Sequence, residues 1–392
     1  MATRKHPTSV SLSRLSATFF TALFGYFILL SFPLLTLFSM LALPGALGPK
    51  QIDITMAGVY SGLILLGIAI SYHTFTIKFD GRFGIPLSRN STPRLYDFLD
   101  EHTPEGGLFK HQIDEVQLSE HHELTLIKVP KHGIPLRSKN VLVIGLSFVQ
   151  ILPKKSFEQS LTAIAPQLSK QRHSVLYWLA SLHYVWQQYP GALRKRNKIG
   201  DLFLADFFNA YSRIYKRLSL PLVKKVQLLG DNHNRHIYNH HDLLEGIQTE
   251  MAAEVYMRQH HWPQVLKSLY NNGGQRPDNL HLYADIPDSI SGKLGAEALT
   301  EIFTSLYRNP NVGSPNCPPL RQRIKNLGHD KMTKLKPWAG EAANYYLETE
   351  YLAYVALMEK YWMDKYTRTK QPGFAPNIAG TQNRQKTAES QL

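Results

Sequence analysis

The residues best equipped for chemistry in this chain are its 17 histidines. The densest group lies in DNHNRHIYNHHD, with His233, His236, His240 and His241, and His260 and His261 follow. A zinc site on a helix needs imidazoles at i, i+3 or i, i+4 so that they share one face. His236 and His240 have that spacing; with His233 and His173 they form the ligand set of a zinc-dependent reading. The Asn and Asp content of the segment predicts a loop instead, where spacing fixes no geometry and exposed polar histidines are expected. His121–His122–Glu123 precedes a strand and alternates across it, which excludes a joint ligand role. His173 and His183 are ten residues apart, almost three turns of one helix, and cannot share an ion.

Other catalytic apparatus is missing. There is no G-x-S-x-G elbow, no phosphate-binding loop, no G-x-G-x-x-G and no kinase motif set. Cys317 sits between Asn316 and Pro318 without a neighbouring base and reads as a structural thiol. As the one cysteine it excludes an intrachain disulfide and a cysteine-rich zinc module, and it fits a reducing compartment. Glu341, Glu348 and Glu350 read as the solvated face of a long final helix.

The elements that must position these residues begin with two apolar spans. From Ala17 to Pro49 there is no Asp, Glu, Lys, Arg or His, more than the roughly 20 residues that cross a bilayer core. The stretch is too long for the apolar core of a cleaved signal peptide. A second span follows from Ile54. Together they predict a transmembrane hairpin at about 17–47 and 54–77 within an N-terminal segment 1–80. Arg4, Lys5 and Arg14 before it and Lys78, Arg82 and Arg89 after it outweigh Lys50 in the loop, so the positive-inside rule places both termini and the main domain on the cytoplasmic side. The net charge of +14 fits an anionic lipid surface. The basic run Arg194, Lys195, Arg196, Lys198 reads as a solvated or lipid-facing cluster rather than a nucleic-acid site.

Residues 81–366 read as a second unit, α+β and mainly α. A short amphipathic helix at Pro93–Glu101 is followed by three strands, DEVQLS, ELTLIKV and NVLVIGL. Helical periodicity then covers Ser156–Ala165, His173–Tyr189, Leu202–Leu218, Asp242–Arg258, Trp262–Tyr270, Ala296–Tyr307, Pro319–Leu327 and Trp338–Tyr366. The polar residues 367–392 read as a disordered tail.

The order of several phrases resembles the membrane-anchored HtpX-like zinc metallopeptidases. These are RSKNVLVIGLSFVQILPKKSF (Arg137–Phe157), Trp178 and Trp186 followed by FFNAYS (Phe207–Ser212), Trp262–Pro263, CPPLRQRIKNLG (Cys317–Gly328) and EAANYYL (Glu341–Leu347). The resemblance implies a transmembrane hairpin and a gluzincin-like domain with a small β-sheet. It also implies a zinc helix carrying H-E-x-x-H, with a Glu from a later helix as third ligand. Here the chain departs from the pattern. Aligning on His173 puts Ile164, Ala165 and Leu168 at the His, Glu and His positions, and aligning on Trp178 puts Ala163, Ile164 and Gln167 there. Pro166 interrupts the helix, and counting for the third ligand reaches His236 or Leu222. The expectation is a pseudopeptidase without catalytic residues or cofactor, zinc being the alternative. It would serve as a membrane-bound scaffold or regulatory protein for a protein partner or client, with no nucleic acid. Peptide binding is expected on an edge strand through Leu142, Val143 and Ile144.

Overall fold

The protein is described by a computed structural model covering residues 11–47, 54–101, 113–168, 175–196, 199–273, 276–277, 280–287, 290, 296–310, 312–329 and 341–369. Two apolar helices open it, α1 (Leu12–Ala46) and α2 (Ile54–Phe75). The Ser11 side chain caps α1 by accepting from the Arg14 amide. Both helices are long and apolar enough to cross a membrane, and little of either is buried inside the protein. They touch where Gly67 meets Thr36 and the Phe32 carbonyl, a crossing that leaves no room for a Cβ on Gly67.

A four-stranded sheet follows, built from β1 (Ile85–Leu87), β2 (Glu115–Ser119), β3 (Leu124–Pro130) and β4 (Ser138–Gly145). Its order is β1-β2-β4-β3, with β2 and β4 parallel and both outer pairs antiparallel. The strands expected from the sequence are all present. The expected edge strand is not at the edge, because β4 lies between β2 and β3. Leu142, Val143 and Ile144 are fully buried there, as the continuous apolar run of a central strand requires. The free edge beside the helices belongs to β3.

The helices are α3 (Pro93–Glu101), α4 (Leu146–Ile151), α5 (Lys154–Thr162), α6 (Ala165–Leu168), α7 (Val175–Arg196), α8 (Ile199–Asn234) and α9 (His240–Tyr256). A π turn (Met257–His261) leads to α10 (Trp262–Asn271), then α11 (Ala296–Arg308), α12 (Leu320–Asn326) and α13 (Glu341–Tyr346). A 3₁₀ turn (Glu348–Glu350) and α14 (Tyr351–Thr369) complete the described chain. The long final helix expected from Trp338 is broken. Glu348 has a φ of 47°, a left-handed conformation that an α-helix cannot contain, and it separates α13 from α14. α14 in turn runs past Thr367, where a tail was expected, and 370–392 lie outside the described residues.

The α7–α8 pair carries an aromatic core of Trp186, Tyr189, Phe208, Tyr211 and Tyr215, each at most 5% exposed. The N-terminal half of α1 completes this core. Thr18 Oγ1 donates to the Leu218 carbonyl at 3.3 Å, Tyr211 Oη to the Thr21 carbonyl at 2.7 Å and Tyr26 Oη to the Pro135 carbonyl at 3.2 Å. Gly25 lets the Tyr211 and Trp186 rings close on the helix. The uncharged run outlasts a bilayer because its first half covers an aromatic protein surface. At the other side of the anchor, Gly133 packs on the end of α2, its amide donating to the Phe75 carbonyl at 3.3 Å.

Candidate functional site

The strand β3, the end of α5 and the helix α9 enclose a cleft of about 270 Å³. Its sheet wall is His121 to Leu126. Gly145 N donates to the Glu123 carbonyl at 2.7 Å, so the odd-numbered residues of β3 face β4 and the even-numbered ones turn their backbone groups outward. Lys128 confirms the phase, since its carbonyl accepts from Gln188 of α7 at 2.9 Å. Leu124 and Leu126 therefore present peptide groups to the cleft.

The facing wall is the segment where the resemblance would place a zinc helix. It is not one helix. α5 ends at Thr162, Ala163 and Ile164 form a turn, and Pro166 sits in the first turn of α6, where its missing N–H costs nothing. Either H-E-x-x-H register thus straddles a break. Ser160, Ala163, Ile164 and Gln167 line the cleft, whereas Ala165 and Leu168 are buried in the main core. None of these supplies an imidazole or a carboxylate.

The acidic residues are Glu123 on the sheet wall, whose carboxyl is pushed up by burial, and two from α9. Glu250 and Glu254, at i, i+4, both face the cleft. Ser160 Oγ donates to Glu250 Oε2 at 3.3 Å. Sequence counting had led to His236 or Leu222 for this position. Neither lines the cleft: His236 lies in the α8–α9 turn and Leu222 packs under α7. The available signal was the carboxylate pair in TEMAAEVY.

Glu250 is held by a cation. Arg323 of α12 donates to both carboxylate oxygens of Asp231 at 2.9 and 2.7 Å, and its Nη1 stands 3.4 Å from Glu250 Oε1. Arg323 and Asp231 are buried, with side chains 3% and 1% exposed. Burial opposes the guanidinium charge, yet the Asp231 and Glu250 carboxylates win and raise its pKa above the ordinary value. Glu254 is pushed up by burial, partly offset by Arg258 and by the Ser314 amide. Burial and the same two glutamates lift the Cys317 thiol to about 12, which makes it inert. On the sheet wall burial takes His122 down to about 3, and its Nδ1 lies 3.2 Å from Ser147 Oγ. The cleft therefore holds a fixed Arg–carboxylate cluster beside a neutral imidazole and an open strand edge.

The histidine-rich segment is only partly a loop. α8 continues through Asn234 because its polar residues have buried partners: Thr162 Oγ1 donates to Asn234 Oδ1 at 2.9 Å, and Asn234 Nδ2 to the Gln159 carbonyl at 2.6 Å. His233 is thus on α8, His236 in the turn and His240 at the start of α9, so the three share no helical face. His240 approaches His329, ring nitrogens 3.5 Å apart, and His173 lies outside the described residues. His183 is buried against Ser219, with Nδ1 2.8 Å from Oγ, and burial lowers it to about 4. One metal-sized grouping exists among the described residues, His241, Asp242 and Glu245. Its Asp242 already pairs with Lys155 and accepts from the Asn239 side-chain amide, so an ion there would have to displace a lysine. Of the basic run, Arg194, Lys195 and Arg196 pair with Asp206, Asp80 and Asp201, and Lys198 is outside the described residues. Comparison with protein-family models, curated proteins and solved structures finds no match for this chain.

Proposed function

We propose that this chain is a membrane-anchored, non-catalytic binding protein, a metallopeptidase-like domain whose cleft accepts an extended peptide from a protein partner or client. One observation carries the reading: the carboxylate best placed to ligate a metal, Glu250, has a buried guanidinium as its counterion instead. A permanent cation there repels a divalent ion and uses the negative charge that would bind it. The end of α5 and the turn after it offer Ser160, Ala163 and Ile164, none of them a zinc ligand. What survives is the open edge of β3, where Leu124 and Leu126 can pair with an added strand. The two apolar helices supply the membrane attachment, and the paired state of the α7–α8 basic run argues against a purely electrostatic lipid-binding role.

Leu126→Pro tests the reading. Proline removes an outward N–H that β4 does not use; because the Leu126 side chain also packs in the main core, L126P must melt with wild type before a weaker peptide complex is assigned to the lost bond. Full-length protein in detergent is panned against displayed extended peptides, and selected peptides are expected to bind L126P at least about fivefold more weakly, one charge-neutral hydrogen bond's worth. Zinc at one ion per chain, together with casein cleavage abolished by Glu250→Gln, would overturn it, as would peptides indifferent to L126P.

A further inference from the structure

A second, larger cavity of about 1060 Å³ opens at the far end of α8, between that helix, the α8–α9 turn, α11 and α12. Five cations line it: Lys225, Arg235, Arg308, Arg321 and Lys325, joined by His236 and His240. Among the described residues that line it there is no Asp or Glu. Several cations elsewhere are paired: Arg89 with Asp100, Arg94 with Glu348, Arg276 with Glu359, Lys365 with Glu120. None of the five has an ion pair among the described residues. Burial already lowers the Lys225 ammonium.

Holding five like charges around one concavity costs folding free energy, and an anion bound there recovers it. The same field excludes the zinc reading of His236 and His240, since a dication would enter a cationic cleft. Three of the five are arginines, whose planar forks match phosphate oxygens two at a time. The Arg321 guanidinium lies 5.7 Å from the Tyr307 ring centre, leaving a flat aromatic wall beside the charges. The volume is at the upper end of small-molecule pockets, about 300–1,000 Å³, too large for one phosphate. Position bears on the source of such chemistry. The α7–α8 end with Arg196 and Asp201 lies near the anchor, tied by Lys195 to Asp80 just after α2. From Asp201 to Lys225 the helix runs about 36 Å, away from the end where α1 and α2 cross and towards the first turn of α1, whose Leu15 packs beside Leu222 and Val226.

We propose that this cleft binds a soluble organic polyphosphate, its phosphate groups shared among Lys225, Arg235, Arg308, Arg321 and Lys325. The test uses the full chain in neutral nanodiscs with inositol hexakisphosphate as probe, read by calorimetric titration at physiological salt. Arg321→Glu/Lys325→Glu alters the cleft, and Arg213→Glu/Arg217→Glu makes the same change of net charge on the exposed face of α8. One-to-one binding is expected. R321E/K325E should weaken it at least about tenfold, because two charge-assisted hydrogen bonds to phosphate disappear, and R213E/R217E less than about twofold. Inorganic phosphate should bind far more weakly than the probe. Equal losses in both variants would show diffuse attraction to a basic protein and overturn the site. So would the absence of saturable binding, or capture of phosphoinositide vesicles without affinity for the free probe. Matching circular dichroism melts for the two variants exclude misfolding as the cause.

Discussion

Replacing Arg323 by methionine should be among the most damaging single changes available to this fold. The side chain is 3% exposed and donates twice to Asp231, itself 1% exposed, with Glu250 at 3.4 Å. Unit charges about 3 Å apart attract by roughly 5–6 kcal/mol at an effective dielectric near 20. Desolvation cancels part of that in the intact cluster, but methionine leaves the buried Asp231 and the partly buried Glu250 without this counterion. Losing one member of a buried pair costs about 3–5 kcal/mol, which translates to a melting point lower by roughly 6–10 °C in a domain of this size. The assay is thermal unfolding of full-length protein in detergent, followed by intrinsic fluorescence. Adding Asp231→Asn to R323M should recover at least about half of the loss, because the uncompensated charge is what hurts. A single variant melting within about 1 °C of the parent, or a double variant no better than R323M, would refute the cluster's role as a buried ion network.

Three further outcomes rest on neighbouring side chains. Glu254→Gln should stabilise the protein at pH 7: burial raises the carboxyl's folded pKa, so its contribution is full below the unfolded value and lost as pH rises through the folded one. The gain over wild type should vanish below about pH 4, read by melts across pH. Cys317 should react with Ellman's reagent at pH 8 about a thousandfold more slowly than free cysteine, following its thiolate fraction with the thiol near 12. Gly25→Leu should drive α1 off Tyr211 and Trp186, since even a Cβ there collides with both rings; the signature is new protease cleavage in α1 with α2 unaffected.

The apolar spans and the strands were legible because each is a one-dimensional pattern: an uncharged run, or β-branched residues between turns. Sheet order was not, since nothing local in NVLVIGL says that β4 slots between β2 and β3, which leaves β3 as the outer strand. The DNHN stretch was half misread because Asn and Asp favour loops when solvated, whereas here Asp231 and Asn234 are buried partners of Arg323 and of the end of α5. The cluster of Glu250, Asp231 and Arg323 spans 92 residues of chain, so only folding brings it together. The cationic cleft is equally dispersed, from Lys225 to Lys325, so no local spacing in the sequence marks it.

The docking of α1 gives the molecule a mechanical property. A tether on a flexible linker lets its cargo sweep a hemisphere, and encounter depends on linker length. Here one unbroken helix passes from the hairpin into the aromatic core, and Gly133 clamps the end of α2, so anchor and domain turn as one body. With α1 and α2 in a membrane, as proposed, the β3 cleft sits at a set height and heading above it. The partner proposed above would, if held in the same membrane, meet the cleft by sliding and rotating in two dimensions, and one whose exposed segment stands at another height would never meet it. Stiffness makes the anchor a ruler.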